Sequence, residues 1–173
     1  MEKKKKYTVS IYAENNIGLL NRISSIFLKR HISIDSVNSS PSEINDIYRF
    51  VIVVTVHELL IKKVITQIEK QIEVIAAFYH TDQETIFLET ALYKVKSKSL
   101  FEERHIQNII KNSHAKIVTV SPNFFVIEKT GFREETEKLY NDLAPYGLLQ
   151  FVRCGRIAVT KEPLKISEIL KKN

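Results

Sequence analysis

The chain has 173 residues, enough for one large domain or two small ones, and its 44% hydrophobic and 27% charged residues have the balance of a soluble globular protein. A single cysteine excludes an internal disulfide framework and a cysteine-cluster zinc site, and no apolar run approaches the length of a membrane span. The formal charge of +6 points toward nucleic acid, but Lys3, Lys4, Lys5 and Lys6 supply four of those charges at one end. Elsewhere acids and bases are interspersed, as in KNSHAK and REETEK, which is the pattern of a solvated surface. The opening MEKKKK has no apolar stretch behind it, so no secretory signal is expected, and the expected address is the cytoplasm.

Residues 7–13 (YTVSIYA) alternate, with Val9, Ile11 and Ala13 on one face, and predict a strand. Leu19, Leu20, Ile23, Ile26 and Phe27 then recur at helical spacing. Between them, in ENNIG, Asn15 and Asn16 supply helix-starting chemistry, and Gly18 lets backbone and ligand approach closely. A helix N-terminus bared in this way offers N–H groups to an anion, although on the local motif alone an ordinary strand-to-helix turn is the reading that one glycine favours.

Residues 31–37 (HISIDSV) predict a second strand, and 38–46 (NSSPSEIND), centred on Pro41, a turn-rich connection. Residues 48–56 (YRFVIVVTV) form a nearly continuous β-branched run, the signature of a strand buried on both faces or central in a sheet. A second amphipathic helix follows over 58–71, and 74–80 closes the unit as a strand. The order β-α-β-β-α-β is that of a ferredoxin-like sandwich.

The order then repeats. A strand over 89–96, a helix over 101–112 buried through Phe101, Ile106, Ile109 and Ile110, and strands over 115–120 and 124–129 come first. A helix introduced by Thr130 and Gly131 and ended by Pro145, and strands over 147–153 and 156–159, complete the set. Residues 82–87 read as the join. The expected class is therefore α+β, two ferredoxin-like βαββαβ domains in tandem, divided as 1–83 and 84–173. Neither is large enough for a big core of its own, so mutual packing or oligomerisation is expected.

Catalytic chemistry is not expected. His31, His57, His80, His105 and His114 show no paired metal-ligand spacing, and no phosphate loop, nucleophile elbow or dinucleotide fingerprint is present. Cys154 reads as a small buried filler, and Glu134, Glu135 and Glu137 as acids favouring a helix N-terminus.

The stretch YTVSIYAENNIGLLNRISSIFLKRHISIDSV resembles the opening of the small, regulatory subunits of acetolactate synthase: a strand, an E-N-x-x-G turn, L-x-R on the helix and a second strand. RFVIVVTV, IKKVITQIEKQIEVIAAF, AKIVTVSPNFFVIEKTG and LAPYGLLQFVRCGRIAVTKE extend the resemblance over residues 7–162. It implies that the first domain is an amino-acid-binding ACT domain and the second the ferredoxin-like domain of this subunit. It further implies no catalysis by the chain itself, but activation of a catalytic large subunit in branched-chain amino-acid biosynthesis and feedback inhibition by valine or a related amino acid. The chain would bind no cofactor, the catalytic partner using thiamine diphosphate, Mg and FAD. A homodimer through the ACT domains is implied, with no nucleic-acid or membrane partner.

The effector would lie between the turn of one chain and the second strand of another. Its carboxylate suits the N–H groups around Ile17, Gly18 and Leu19, Asn15 offers both donor and acceptor, and Leu20 with Ile34 of a partner chain closes an apolar pocket. Two positions depart from the family: Ser33 where an asparagine is usual, and Asn21 where a helix serine is usual. Two other readings remain open. One is an ACT-domain sensor for another client enzyme. The other is an RNA-binding ferredoxin-like domain, which needs exposed sheet aromatics such as Tyr48 and Phe50.

Overall fold

The computed structural model describes residues 3–98, 104–163 and 165–169 and consists of two compact units. The first comprises Met1–Phe87 and Arg156–Asn173, the second Leu88–Gly155.

In unit 1, β1 (Lys5–Glu14), α1 (Leu19–Leu28), β2 (Ile34–Pro41), β3 (Ile47–Val56), α2 (Glu58–Ile68) and β4 (Val74–Thr81) follow the expected order. The sheet runs β2-β3-β1-β4, every neighbouring pair antiparallel. Alternation places Val9, Ile11, Ala13, Ile52 and Val54 on one face, where α1 and α2 bury Leu19, Ile23, Phe27, Ile61, Val64 and Ile68 against them. Two boundaries differ from expectation. β2 starts at Ile34 because α1 ends through His31 in the left-handed region (φ 53°), with the Ile32 N–H donating to Phe27 O. It then runs to Pro41, opposite Tyr48, a place that an edge strand allows because the missing N–H costs no ladder bond.

The other face of this sheet is also covered. Thr8, Tyr12, Val51 and Val53 are buried there. Part of the cover is β9 (Ile157–Thr160), which the expected division gave to the second domain. Arg156, its side chain 5% exposed, explains the return: its Nη1 donates to Thr8 Oγ1 (2.9 Å) and Asp82 Oδ1 (2.5 Å), and its guanidinium lies 3.5 Å from the Phe87 ring centroid. Arg49 Nη2 donates to Ala158 O, and the Lys161 N–H to Glu84 O (2.9 Å). A short helix, α5 (Ile166–Ile169), follows.

The join at residues 82–87 is shorter than expected. The Thr81 N–H and hydroxyl both donate to Glu84 Oε2 (2.7 Å each), holding that carboxyl below its usual range, and β5 (Thr85–Lys96) begins at once.

Unit 2 continues with α3 (Arg104–Asn112), β6 (Lys116–Val120), β7 (Phe124–Gly131), α4 (Arg133–Leu143), a 3-10 turn (Ala144–Tyr146) and β8 (Leu148–Arg153). Its sheet order, β6-β7-β5-β8, repeats that of unit 1 strand for strand, with β9 pairing β5 off this path. Ala91, Tyr93, Val95, Ile106, Phe125, Ile127, Leu139 and Leu143 form its core. The buried Tyr93 hydroxyl donates to Thr136 O (2.7 Å), and burial pushes its pKa up to about 12. The expected anchor Phe101 lies outside the described residues, while Ile106 and Ile110 are buried as expected. Pro145 sits inside the 3-10 turn, and Gly147 (φ 78°) releases the chain into β8.

Candidate effector site

The E-N-x-x-G turn connects β1 to α1. Gly18 adopts φ 84°, the left-handed region, and a Cβ built there meets nothing within 4 Å. It is the N-cap of α1, with no side-chain hydrogen bond to the first turn and no acid within it. Asn15 and Asn16 therefore do not cap the helix as expected. The Asn15 N–H donates to Asp46 O (3.3 Å), and the Asn16 amide to Glu73 Oε1 (3.3 Å). An uncapped helix N-terminus facing open space presents the positive end of the helix dipole to an anion.

The expected residues fall into two groups. Asn15, Ile17, Gly18, Leu20 and Asn21 are exposed around the turn, Ile17 at 98% and Leu20 at 43%. Leu19 differs: its side chain is 1% exposed in the core, and its N–H already donates to Asn16 O (3.2 Å), so it contributes the turn's geometry rather than a contact surface. Ser33 (exposed) and Ile34 (half-buried, packed against the core) lie beyond the far end of α1. A helix of ten residues spans about 15 Å, so one chain does not bring Ser33 to its own Gly18.

Glu73 is the residue that sequence reasoning missed. Its carboxylate pairs with Arg22 on α1 and accepts from Asn16, while its backbone O accepts the Glu14 N–H (3.0 Å). One residue thus fixes the strand end through its backbone, and the turn and the first helical turn through its side chain. Nothing local signals it, because Asn16 and Glu73 lie 57 positions apart.

The remaining candidates for chemistry stay dispersed. Among the described residues, no three histidine, cysteine or acidic groups converge on a point where a metal would sit. Cys154 is exposed rather than buried; its Sγ accepts the Thr90 N–H (3.1 Å), and its own N–H donates to Thr90 O (2.9 Å). Glu135 accepts the Phe132 N–H at the start of α4 (2.7 Å), as expected of an acid there, whereas Glu137 pairs with Arg153 (3.0 Å). Phe50 is buried in the helix-side core and Tyr48 packs against it, so neither offers the exposed ring that RNA stacking needs. No helix among the described residues is long and apolar enough to cross a membrane.

Residues 7–73 match the ACT domain, and residues 88–162 match the family described as the small subunit of acetolactate synthase. The chain is 31% identical over 157 residues to the acetolactate synthase small subunit of Mycolicibacterium smegmatis, covering 91% of this chain and 92% of that one. It is 32% identical to the Bacillus subtilis acetolactate synthase small subunit, over 90% of this chain and 91% of that one. The crystal structure of the acetolactate synthase small subunit from Thermotoga maritima superposes with a TM-score of 0.82 at 25% identity, covering 92% of this chain and 99% of that one. With both units matched in order and the relatives matched over nearly their full length, the chain belongs to the family of acetolactate synthase small subunits.

Proposed function

We propose that the chain regulates a catalytic acetolactate synthase subunit, raising its activity and making it sensitive to valine or a related branched-chain amino acid. The observation that carries the effector site is the bare, left-handed Gly18 turn, open to solvent at the N-terminus of α1. The separation of Ser33 from that turn by the length of α1 supports a site completed by a second chain, and β2, at the edge of its sheet, is free to pair. The carbon–carbon bond chemistry, with thiamine diphosphate, Mg and FAD, belongs in this proposal to the catalytic subunit. The cytoplasm is the proposed compartment.

The test is reconstitution with the catalytic subunit from the same cell. Acetolactate formation is expected to rise on adding this chain and to fall again on titrating valine, and sedimentation of the chain alone is expected to give at least a dimer at micromolar concentration. No stimulation at saturating chain would remove the regulatory reading. A monomer that binds valine one-to-one would remove the shared site.

Ser33 tunes the affinity. Its hydroxyl is shorter than the usual asparagine amide, and a missing hydrogen bond is worth roughly 0.5–1.5 kcal/mol, about two- to tenfold in binding. Ser33→Asn is therefore expected to lower the inhibitory valine concentration by that factor. Titrations of valine, leucine and isoleucine with both versions decide it: if none becomes tighter, Ser33 does not face the effector.

A further inference from the structure

The face of the unit 1 sheet opposite α1 and α2 holds a cavity of about 500 Å³, within the range of small-molecule sites. Its walls come from β1, β3 and β4 on one side and from the returning segment around β9 on the other, all within unit 1. It shares no residue with the Gly18 turn.

Three features define its chemistry. Strand register places Arg49 opposite Tyr12, with the guanidinium 5.7 Å from the Tyr12 ring centroid. Arg49 donates only to neutral oxygens, Ser10 Oγ (3.4 Å) and Ala158 O, and its Nε is buried without a partner. No carboxylate pairs with it among the described residues. A partly buried guanidinium left with only neutral partners is a standing site for an anion, since charge-assisted, bidentate pairing is what its fork offers. The second feature is aromatic: Tyr12 and Phe78 meet edge to face at 6.4 Å on the floor, an apolar surface suited to a ring. The third is acidic. Glu43 and Glu162 also line the cavity, and neither is in an ion pair among the described residues. The Tyr12 phenol registers both signs of charge: burial raises its pKa, Arg49 opposes that, and Glu43 adds to it. The other cation at the wall, Lys165, is already engaged by Glu168 (2.9 Å).

A guanidinium and two carboxylates that form no ion pair among the described residues, with an aromatic floor, describe a receptor for a molecule carrying both charges and a ring. We propose that this cavity is a second binding site, taking an α-amino acid with an aromatic side chain. The α-carboxylate lies on Arg49, the ammonium faces Glu43 and Glu162, and the ring lies over Tyr12 and Phe78. A simple anion uses only the first of these contacts, and an amine only the second.

Calorimetric titration of the full-length chain with L-phenylalanine, 3-phenylpropionate and phenethylamine tests each contact. L-Phenylalanine is expected to bind at least fivefold more tightly than either fragment, and excess valine is expected not to displace it. Arg49→Met should weaken it at least tenfold, and Gly18→Asp should leave it unchanged. Glu43→Gln with Glu162→Gln, a surface double variant, should weaken L-phenylalanine severalfold and leave 3-phenylpropionate as it was; this pair decides the matter if Arg49→Met fails to fold. The proposal is overturned if L-phenylalanine does not bind, if 3-phenylpropionate binds as tightly, if neither the Arg49 nor the glutamate variant weakens binding, or if Gly18→Asp abolishes it, which would move the ligand to the turn.

Discussion

Replacing Gly18 with aspartate is expected to raise the inhibitory valine concentration at least tenfold while stimulation of the catalytic subunit stays within about twofold. The built Cβ meets nothing within 4 Å, so the new side chain enters open space rather than the core. The left-handed backbone (φ 84°) strains any L side chain, aspartate and asparagine less than most, so the two variants carry the same backbone cost. What changes is the field: a carboxylate now occupies the helix N-terminus that the effector's carboxylate would use, and repulsion of about 1.4 kcal/mol already corresponds to tenfold. Gly18→Asn carries the same backbone and nearly the same bulk without the charge. If charge is the cause, asparagine raises the inhibitory concentration much less than aspartate. Equal effects would point to sterics, and an unchanged curve with aspartate would place the effector elsewhere.

The second large effect is expected from Arg156→Met. Methionine keeps much of the aliphatic volume but removes the charge-assisted bond to Asp82, the bond to the buried Thr8 hydroxyl and the stacking on Phe87. Hydrogen bonds to charged groups are worth about 1.5–3 kcal/mol and a desolvated cation–π contact about 2 kcal/mol. Against this stands the cost of burying the cation, which methionine does not bear, and the 42% exposure of Asp82, which lets that carboxylate return to water. A net loss of about 2–3 kcal/mol is expected in the urea transition of unit 1, with the transition of unit 2 moving less. Arg156→Lys is expected to recover under half of it, since an ammonium cannot lie flat on the Phe87 ring. A midpoint unmoved by Arg156→Met would show that the Arg156 contacts do not hold β9 in place.

Local pattern was enough for most of unit 1. The alternation of Val9, Ile11 and Ala13 and the helical spacing of Leu19, Leu20, Ile23, Ile26 and Phe27 are each written within a dozen residues, and all but the exposed Leu20 are buried where that spacing puts them. The nearly continuous run from Tyr48 to Val56 likewise pointed to a strand buried on both faces or central in its sheet, and Val51 and Val53 are buried on the face opposite Ile52 and Val54, with only Thr55 exposed after them. What covers the second face was not readable. The contacts of Arg156 reach back to Thr8 and Asp82, 148 and 74 positions away, and a short β-branched stretch such as IAVT looks like the tail of whichever strand precedes it. Cys154 failed for a related reason: its small apolar character suggested burial, but it lies where the chain leaves β8. At the candidate site the turn was legible from Gly18, while the ion pair that anchors it, Arg22 with Glu73, depends on a contact 51 positions long.

The return of Arg156 to the first sheet has a consequence for how the protein is made. A ribosome adds roughly 5–20 residues per second. The last strand of the first sheet ends at Thr81 and its clamp arrives at Arg156, 156 − 81 = 75 residues later, so the interval is roughly 4–15 s. During it, Thr8, Tyr12, Val51 and Val53 have been synthesised but lack the cover that β9 supplies, so the nascent chain leaves that sheet face open. Chaperone demand should accordingly peak in the second half of translation, and a ribosome stalled between residues 90 and 155 would display the first unit in its most adhesive form.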